Sequence, residues 1–144
     1  MNKICFDTSS LLTLFVHEHP NHASCANFYL DHIESAEFYV AAHSIAELYR
    51  HLTSGRAYFS FPPAEAHELL STIIPESFNP ISLDHDDYMA VVERMRELSL
   101  HGAIIYDGLI AKAAEKAGCS KLVTYNIRDF HRVWPLTTAD LVEP

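Results

Sequence analysis

The chain has 144 residues, enough for one hydrophobic core but too few for two. Its hydrophobic fraction of 49% with 20% charged residues excludes a disordered segment, and Gly 4 and Pro 7 leave no stretch that reads as a linker. A formal charge of −9 argues against a non-specific nucleic-acid binder, yet it is compatible with a site whose carboxylates hold a divalent cation.

No apolar run approaches the ~18 residues of a membrane span. The first one is broken by Asp7 and His17, and no basic N-terminus leads into an apolar stretch and a cleavage site. The expectation is a cytoplasmic protein that makes no use of the membrane. Cys5, Cys25 and Cys119 are widely spaced with no C-x-x-C pair, which predicts buried thiols in a reducing compartment.

Ile4-Cys5-Phe6 is a short apolar run that ends at Asp7-Thr8-Ser9-Ser10, a string of helix-capping residue types. A buried strand followed by a helix is the natural reading. Leu11, Leu12, Leu14 and Phe15 carry that helix to His17, and Asn21 is placed to cap a second helix, so that the two form a hairpin. Phe38-Tyr39-Val40 predicts the next strand. Ser44 is expected to open a helix that runs through Leu52 and stops near Ser54-Gly55. Pro62-Pro63 introduces a helix to about Ile74, and Pro80 to Leu83 forms a short strand. Asp84 caps a helix carrying Tyr88, Val91, Val92, Met95 and Leu98, closed by Gly102. From Asp107 the chain is helical to Ala117, with Gly118 in the stop position. Leu122 to Tyr125 reads as a strand, Asn126 to Arg132 as a short helical turn, and Val133 to Thr137 as a last strand. The strands alternate with helices. A single α/β domain over residues 1–144 is expected, a parallel sheet flanked by helices on both faces.

In such a sheet ligands bind at the carboxyl ends of the strands. Asp7 follows the first strand, Glu47 lies in the first turn of the helix after the second, and Asn126 and Asp129 follow the strand ending at Tyr125. Asp107 joins them if its helix packs across the same edge. Carboxylates without Cys or His at ligand spacing select a hard cation, Mg²⁺ or Mn²⁺. Each acid also has a purely structural reading. Asp7 can be an N-cap, Ser44-x-x-Glu47 fits a capping box, Asp107 suits a helix dipole, and Asn126 to Asp129 can cap the short turn.

Four segments resemble PIN domains. Phe6-Asp7-Thr8-Ser9-Ser10-Leu11-Leu12 is similar to their opening motif, and Ser44-x-x-Glu47-Leu48 to the second. Tyr106-Asp107-Gly108-Leu109-Ile110-Ala111 resembles the third, and Leu122 to Phe130 the fourth. Thr53-Ser54-Gly55-Arg56 and Pro62-Pro63 are similar to the segment after the second motif in VapC-type toxins. The resemblance implies a PIN-like three-layer fold and an RNA-cleaving enzyme dependent on Mg²⁺ or Mn²⁺. It further implies the toxin of a toxin–antitoxin pair, a homodimer held in check by a cognate antitoxin. By motif match Asp7, Glu47 and Asp107 become metal ligands and catalytic residues. Many members carry an acid at the position of Asn126, so Asn126 or Asp129 completes the site.

On this reading Asp7 is the central ligand, and Glu47 or Asp107 orients the attacking water. Ser9 and Thr124 are hydroxyls suited to bonding the ligands from behind. Arg128 and Arg132, one helical turn apart, either hold flanking phosphates of the RNA substrate or form a solvated surface.

The histidines of His17-Glu18-His19 and His19-Pro20-Asn21-His22 read as surface loop rather than zinc site. Asp84-His85-Asp86-Asp87 reads as a solvated helix start. A haloacid-dehalogenase-type phosphotransferase would require Asp where Ser9 stands. The remaining alternatives are a catalytically silent PIN-like module that binds RNA or a protein, and a PIN nuclease of RNA processing.

Overall fold

A computed structural model describes residues 1–133 and 139–144. Five parallel strands form one sheet in the order β3-β2-β1-β4-β5. They are β1 (Asn2–Phe6), β2 (Ala36–Ala41), β3 (Asn79–Ile81), β4 (Lys121–Val123) and β5 (Asp140–Val142). Helices α1 (Thr8–Phe15) and α2 (His22–His32) connect β1 to β2. Between β2 and β3 lie α3 (Ala42–Leu52), α4 (Pro63–Glu68), a π-helical segment (Leu69–Ile73) and α5 (Ile74–Ser77). Helices α6 (His85–Leu98) and α7 (Ile104–Ala117) precede β4, and α8 (Ile127–Val133) follows it.

The alternation along β1 divides the core in two. Ile4 and Phe6 point to one face, where Phe38, Val40, Phe78, Leu11 and Leu48 pack around them. Phe6 meets the rings of Phe38 and Phe78 edge-on at 5.7 and 5.3 Å. Cys5 points to the other face, into a cluster with Val91, Ile110, Leu122 and Phe130 from α6, α7, β4 and α8. All three cysteines are free and buried, as the sequence predicts. Gly108 allows α7 to press on α6, since a Cβ there would meet Val91 Cγ1 at 3.0 Å and Met95 Cε at 3.1 Å. Among the described residues no helix is long and apolar enough to cross a membrane.

Several boundaries differ from those read in the sequence. Helix α3 starts at Ala42 with Ala41 as its cap, so Ser44 lies inside the helix and no capping box with Glu47 forms. The helix entered through Pro62-Pro63 passes through a π-helical turn at Leu69–Ile73 and continues past Ile74 as a further short helix ending at Ser77. The left-handed residue that ends α6 is Ser99, and Gly102 (φ +74) sits in the turn leading to α7, which begins at Ile104, before Asp107. Val133 is the last residue of α8, not the start of a strand; positions 134–137 of the expected last strand lie outside the described residues, and β5 is Asp140–Val142. Asn21 makes no side-chain cap to α2, whereas Asp84 caps α6 in a reciprocal box with Asp87.

Candidate active site

The strand order reverses direction at β1: the chain moves to β2 and β3 on one side, then returns to β4 and β5 on the other. The crevice beyond the carboxyl ends of β1 and β4 is therefore the switch point of the sheet. Asp7 emerges there from β1, and its backbone N–H still donates to Val123 O of β4 at 3.0 Å. Its side chain caps α1, with Oδ1 accepting the Ser10 N–H at 2.8 Å. The Ser9 hydroxyl donates to the same carboxylate at 2.8 Å, and Thr124 Oγ1 donates to Oδ2 at 2.6 Å. The two hydroxyls also reach back into the loop after β4. Ser9 Oγ accepts the Tyr125 N–H at 3.0 Å, and Thr124 Oγ1 accepts the Asn126 N–H at 2.8 Å. Asp7 is thus an N-cap and a pocket residue at once. Burial raises its pKa, and the bonds from Thr124, Ser10 and Ser9 oppose that rise.

Glu47 stands in the second turn of α3, one turn later than the sequence suggests, because the helix begins two residues earlier. Its Oε1 accepts the Thr8 hydroxyl at 3.0 Å, which links α3 to the start of α1. Asp107 faces them from the first turn of α7. Its carboxyl is pushed up to about 7, first by burial and then by the charges of Asp7, Asp129 and Glu47, against a smaller opposing effect of Arg132. Asp7, Glu47, Asp107 and Asn126 line one pocket of about 180 Å³, together with Thr8, Ser9 and His51. Asn126 also borders a neighbouring cleft of about 440 Å³ that holds Arg128, Asp129 and Arg132. Asp129 belongs to that cleft, where it lies 4.0 Å from Arg132, and acts on the carboxylate pocket through its charge.

The structure brings Asp7, Glu47, Asp107 and Asn126 together, with Ser9 and Thr124 bonded behind Asp7. The donor set is oxygen throughout, chemically suited to Mg²⁺ or Mn²⁺. Among the described residues, no group of three or more His, Cys, Asp or Glu side chains is gathered tightly enough to hold an ion as placed. Asp7 and Glu47 already have hydroxyl donors on their oxygens, no Lys or Arg is among the described lining residues, and Arg132 in the adjoining cleft offsets only part of the repulsion that Asp107 feels. Sequence reasoning missed Thr8 and His51. His51 stands four residues after Glu47, and that spacing on a helix could have revealed it.

A sheet in this order with carboxylates at its switch point defines a class of α/β proteins with an acidic crevice. The family model of the PIN domain matches residues 4–134, and the chain belongs to that family. No curated protein matches the chain significantly. Among solved structures, it resembles VapBC2 from Rickettsia felis bound to a promoter DNA fragment (TM-score 0.71, 18% identity, 99% of this chain and 98% of that one). It also resembles VapBC-1 from nontypeable Haemophilus influenzae (TM-score 0.68, 16% identity, 98% and 97%). A third is VapC20 from Mycobacterium tuberculosis, described as a toxin cleaving the sarcin–ricin loop (TM-score 0.63, 16% identity, 83% and 86%). At these identities the likeness is one of fold.

Proposed function

We propose that this chain is a metal-dependent endoribonuclease that hydrolyses RNA phosphodiester bonds as the toxin of a toxin–antitoxin pair. The observation that carries the proposal is the convergence of like charges. Asp7, Glu47 and Asp107 line one pocket, no Lys or Arg is among its described lining residues, and Asp107 is held at about 7. PIN-family membership and the fold-level likeness to VapC proteins support the same reading.

Asp7, Glu47 and Asp107 would hold Mg²⁺ or Mn²⁺, with the Asn126 amide as a neutral oxygen donor beside them. A bound divalent cation lowers the pKa of its water and takes up the charge that builds on the phosphate. Asp7 is the fixed element, because Ser9, Ser10 and Thr124 all bond its carboxylate. Glu47 and Asp107 reach the same pocket from separate helices, α3 and α7, and would complete the donor set. Arg128 and Arg132 border the adjoining cleft, where a phosphate next to the scissile one would lie.

An apolar groove of about 640 Å³ along α3, lined by Ile45, Ala46, Tyr49 and Leu70, suits an amphipathic antitoxin helix. The net charge of −9 suits a basic antitoxin tail reaching towards the carboxylates. The exposed Tyr88, Met89 and Val92 on α6 suit a homodimer contact, which light scattering at twice 16.3 kDa would reveal. A cytoplasmic RNA target follows from this reading.

The test is cleavage of RNA by the purified protein with Mg²⁺ or Mn²⁺, with and without chelator. Cutting that continues undiminished in chelator would overturn metal dependence. The loosely gathered carboxylates favour one rival, a silent PIN module. Absence of cutting with either metal, while RNA or a protein partner still binds, would establish it.

A further inference from the structure

The carboxylate pocket has a second neighbour besides the cleft of Arg128 and Arg132. His51 forms a wall shared with a cleft of about 380 Å³ whose other lining includes Arg50, Ser54, Arg56 and Phe59. Arg50 Nη2 donates to His51 Nε2 at 3.1 Å. Burial holds the His51 imidazole below its ordinary pKa, Arg50 and Arg56 lower it further, and Glu47 pulls the other way, so both arginines and the pocket carboxylate act on one ring.

Arg56 is carried by a tightly built loop. Gly55 N–H donates to Phe59 O at 2.8 Å, Phe59 N–H to Arg56 O at 2.8 Å, and Phe61 N–H to Leu52 O at 2.9 Å. Ala57 within it adopts φ +50, a left-handed conformation that side-chain-bearing residues other than Asn and Asp seldom take.

The cations of this acidic chain are unevenly employed. On α6 and α7, Arg96 pairs with Glu93, Lys112 with Glu115 and Lys116 with Asp87. Among the described residues, no carboxylate lies within ion-pair distance of Arg50, Arg56 or Arg128. These arginines, none of them in an ion pair, therefore line two clefts that each share a wall with the carboxylate pocket, His51 in one and Asn126 in the other.

We propose that Arg50, His51 and Arg56 form a phosphate subsite for single-stranded RNA, so that the strand runs from this cleft across the carboxylates to Arg128 and Arg132. The proposal rests on the ribonuclease reading for the identity of the strand. Guanidinium groups suit phosphate recognition because they present a planar fork of donors that stay charged. Cations flanking a strip of carboxylates match a backbone whose central phosphate alone meets the metal-holding groups. An acidic protein segment would meet the same arginines but would bring the metal-holding groups no phosphodiester to act on.

The test is the salt dependence of binding of a short fluorescent single-stranded RNA in chelator, where metal-dependent cutting cannot occur. Each phosphate contact on a single strand contributes about 0.7 to the slope of log affinity against log salt. The double variant R50A/R56A should therefore flatten the slope by about 1.4, whereas Arg96→Ala, at an ion-paired surface site, should leave it unchanged. With Mg²⁺, the same double variant should raise KM more than it lowers kcat. An unaltered slope in R50A/R56A overturns the subsite even if the parent cuts RNA. Competition by poly-glutamate without RNA binding also overturns it, in favour of an acidic protein partner. A flattened slope in a protein that never cuts RNA leaves the subsite standing and removes the ribonuclease reading.

Discussion

Thr124 Oγ1 donates to Asp7 Oδ2 at 2.6 Å while accepting the Asn126 N–H at 2.8 Å, so one hydroxyl joins the end of β1 to the loop after β4. The bond orients the carboxylate and also lowers its pKa against the effect of burial. Thr124→Val keeps the shape and removes both bonds. The expected loss in metal affinity or cleavage is about 10–100-fold, the range for groups that orient a metal ligand. Thr124→Ser should restore most of it. Equal activity in the Val variant would show that Asp7 is oriented without Thr124.

Asp7→Asn separates the two roles of that residue. Asparagine caps helices about as well as aspartate, so the bond from Ser10 N–H survives. Burial already disfavours the charged form of Asp7, and a neutral side chain escapes that penalty. The variant should melt at or above the parent temperature yet lose more than about 100-fold in cleavage, beyond the loss of a merely orienting group. Calorimetry beside an RNA cleavage assay decides it. An active variant that melts several degrees lower would mean that Asp7 serves only as a cap.

Asp107 makes the site's charge measurable. Its folded-state pKa is raised to about 7 from an ordinary 3.8, so the folded protein holds this proton more tightly than the unfolded chain does. The resulting stability is complete below about pH 4 and is lost as pH rises through about 7. In metal-free protein the melting temperature of the parent, relative to Asp107→Asn, should therefore decline between those limits. Above pH 7 the Asn variant should be the more stable, by roughly 3 °C for each kcal/mol of repulsion removed. Mg²⁺ should reverse that order at pH 8, and its affinity for the parent should weaken as Asp107 takes up its proton. Parallel melting curves across this range would place Asp107 away from the other carboxylates.

Much of this was legible in the sequence because the signals were local. An apolar triplet before Asp7, an aromatic strand before α3 and a glycine after α7 each specify an element and its end. They also bring Asp7, Glu47 and Asn126 to one edge of the sheet. The distance between Glu47 and the start of its helix was not legible. Ser44-x-x-Glu47 has the spacing of a capping box, but the helix already starts at Ala42 with Ser44 buried, so tertiary packing overrides the local pattern. The Arg50–Arg56 cleft was hidden for another reason: it depends on a tight loop with Ala57 at positive φ, which no residue preference announces.

Asn126 occupies the point where this chain departs from the acid found in many PIN domains. Its backbone carbonyl starts α8 by accepting the N–H groups of Asp129 and Phe130 at 3.0 and 3.1 Å. Among the described residues its side-chain amide makes no hydrogen bond, and the residue lines the carboxylate pocket. Asn126→Asp adds a negative charge at that wall. In the absence of metal it should lift Asp107 further, since like charges oppose ionisation. With metal present the same charge faces the cation, so affinity should rise and cleavage should hold or increase. Asp129 lies in the adjoining cleft beside Arg132, and its charge helps to raise Asp107. Asp129→Asn should lower the Asp107 pKa and weaken cleavage less than Asp7→Asn does. A metal titration of both variants, read beside the pH dependence of cleavage, tests the assignment. If Asn126→Asp leaves metal affinity unchanged while Asp129→Asn abolishes it, Asp129 is the fourth ligand and the roles of the two residues are reversed.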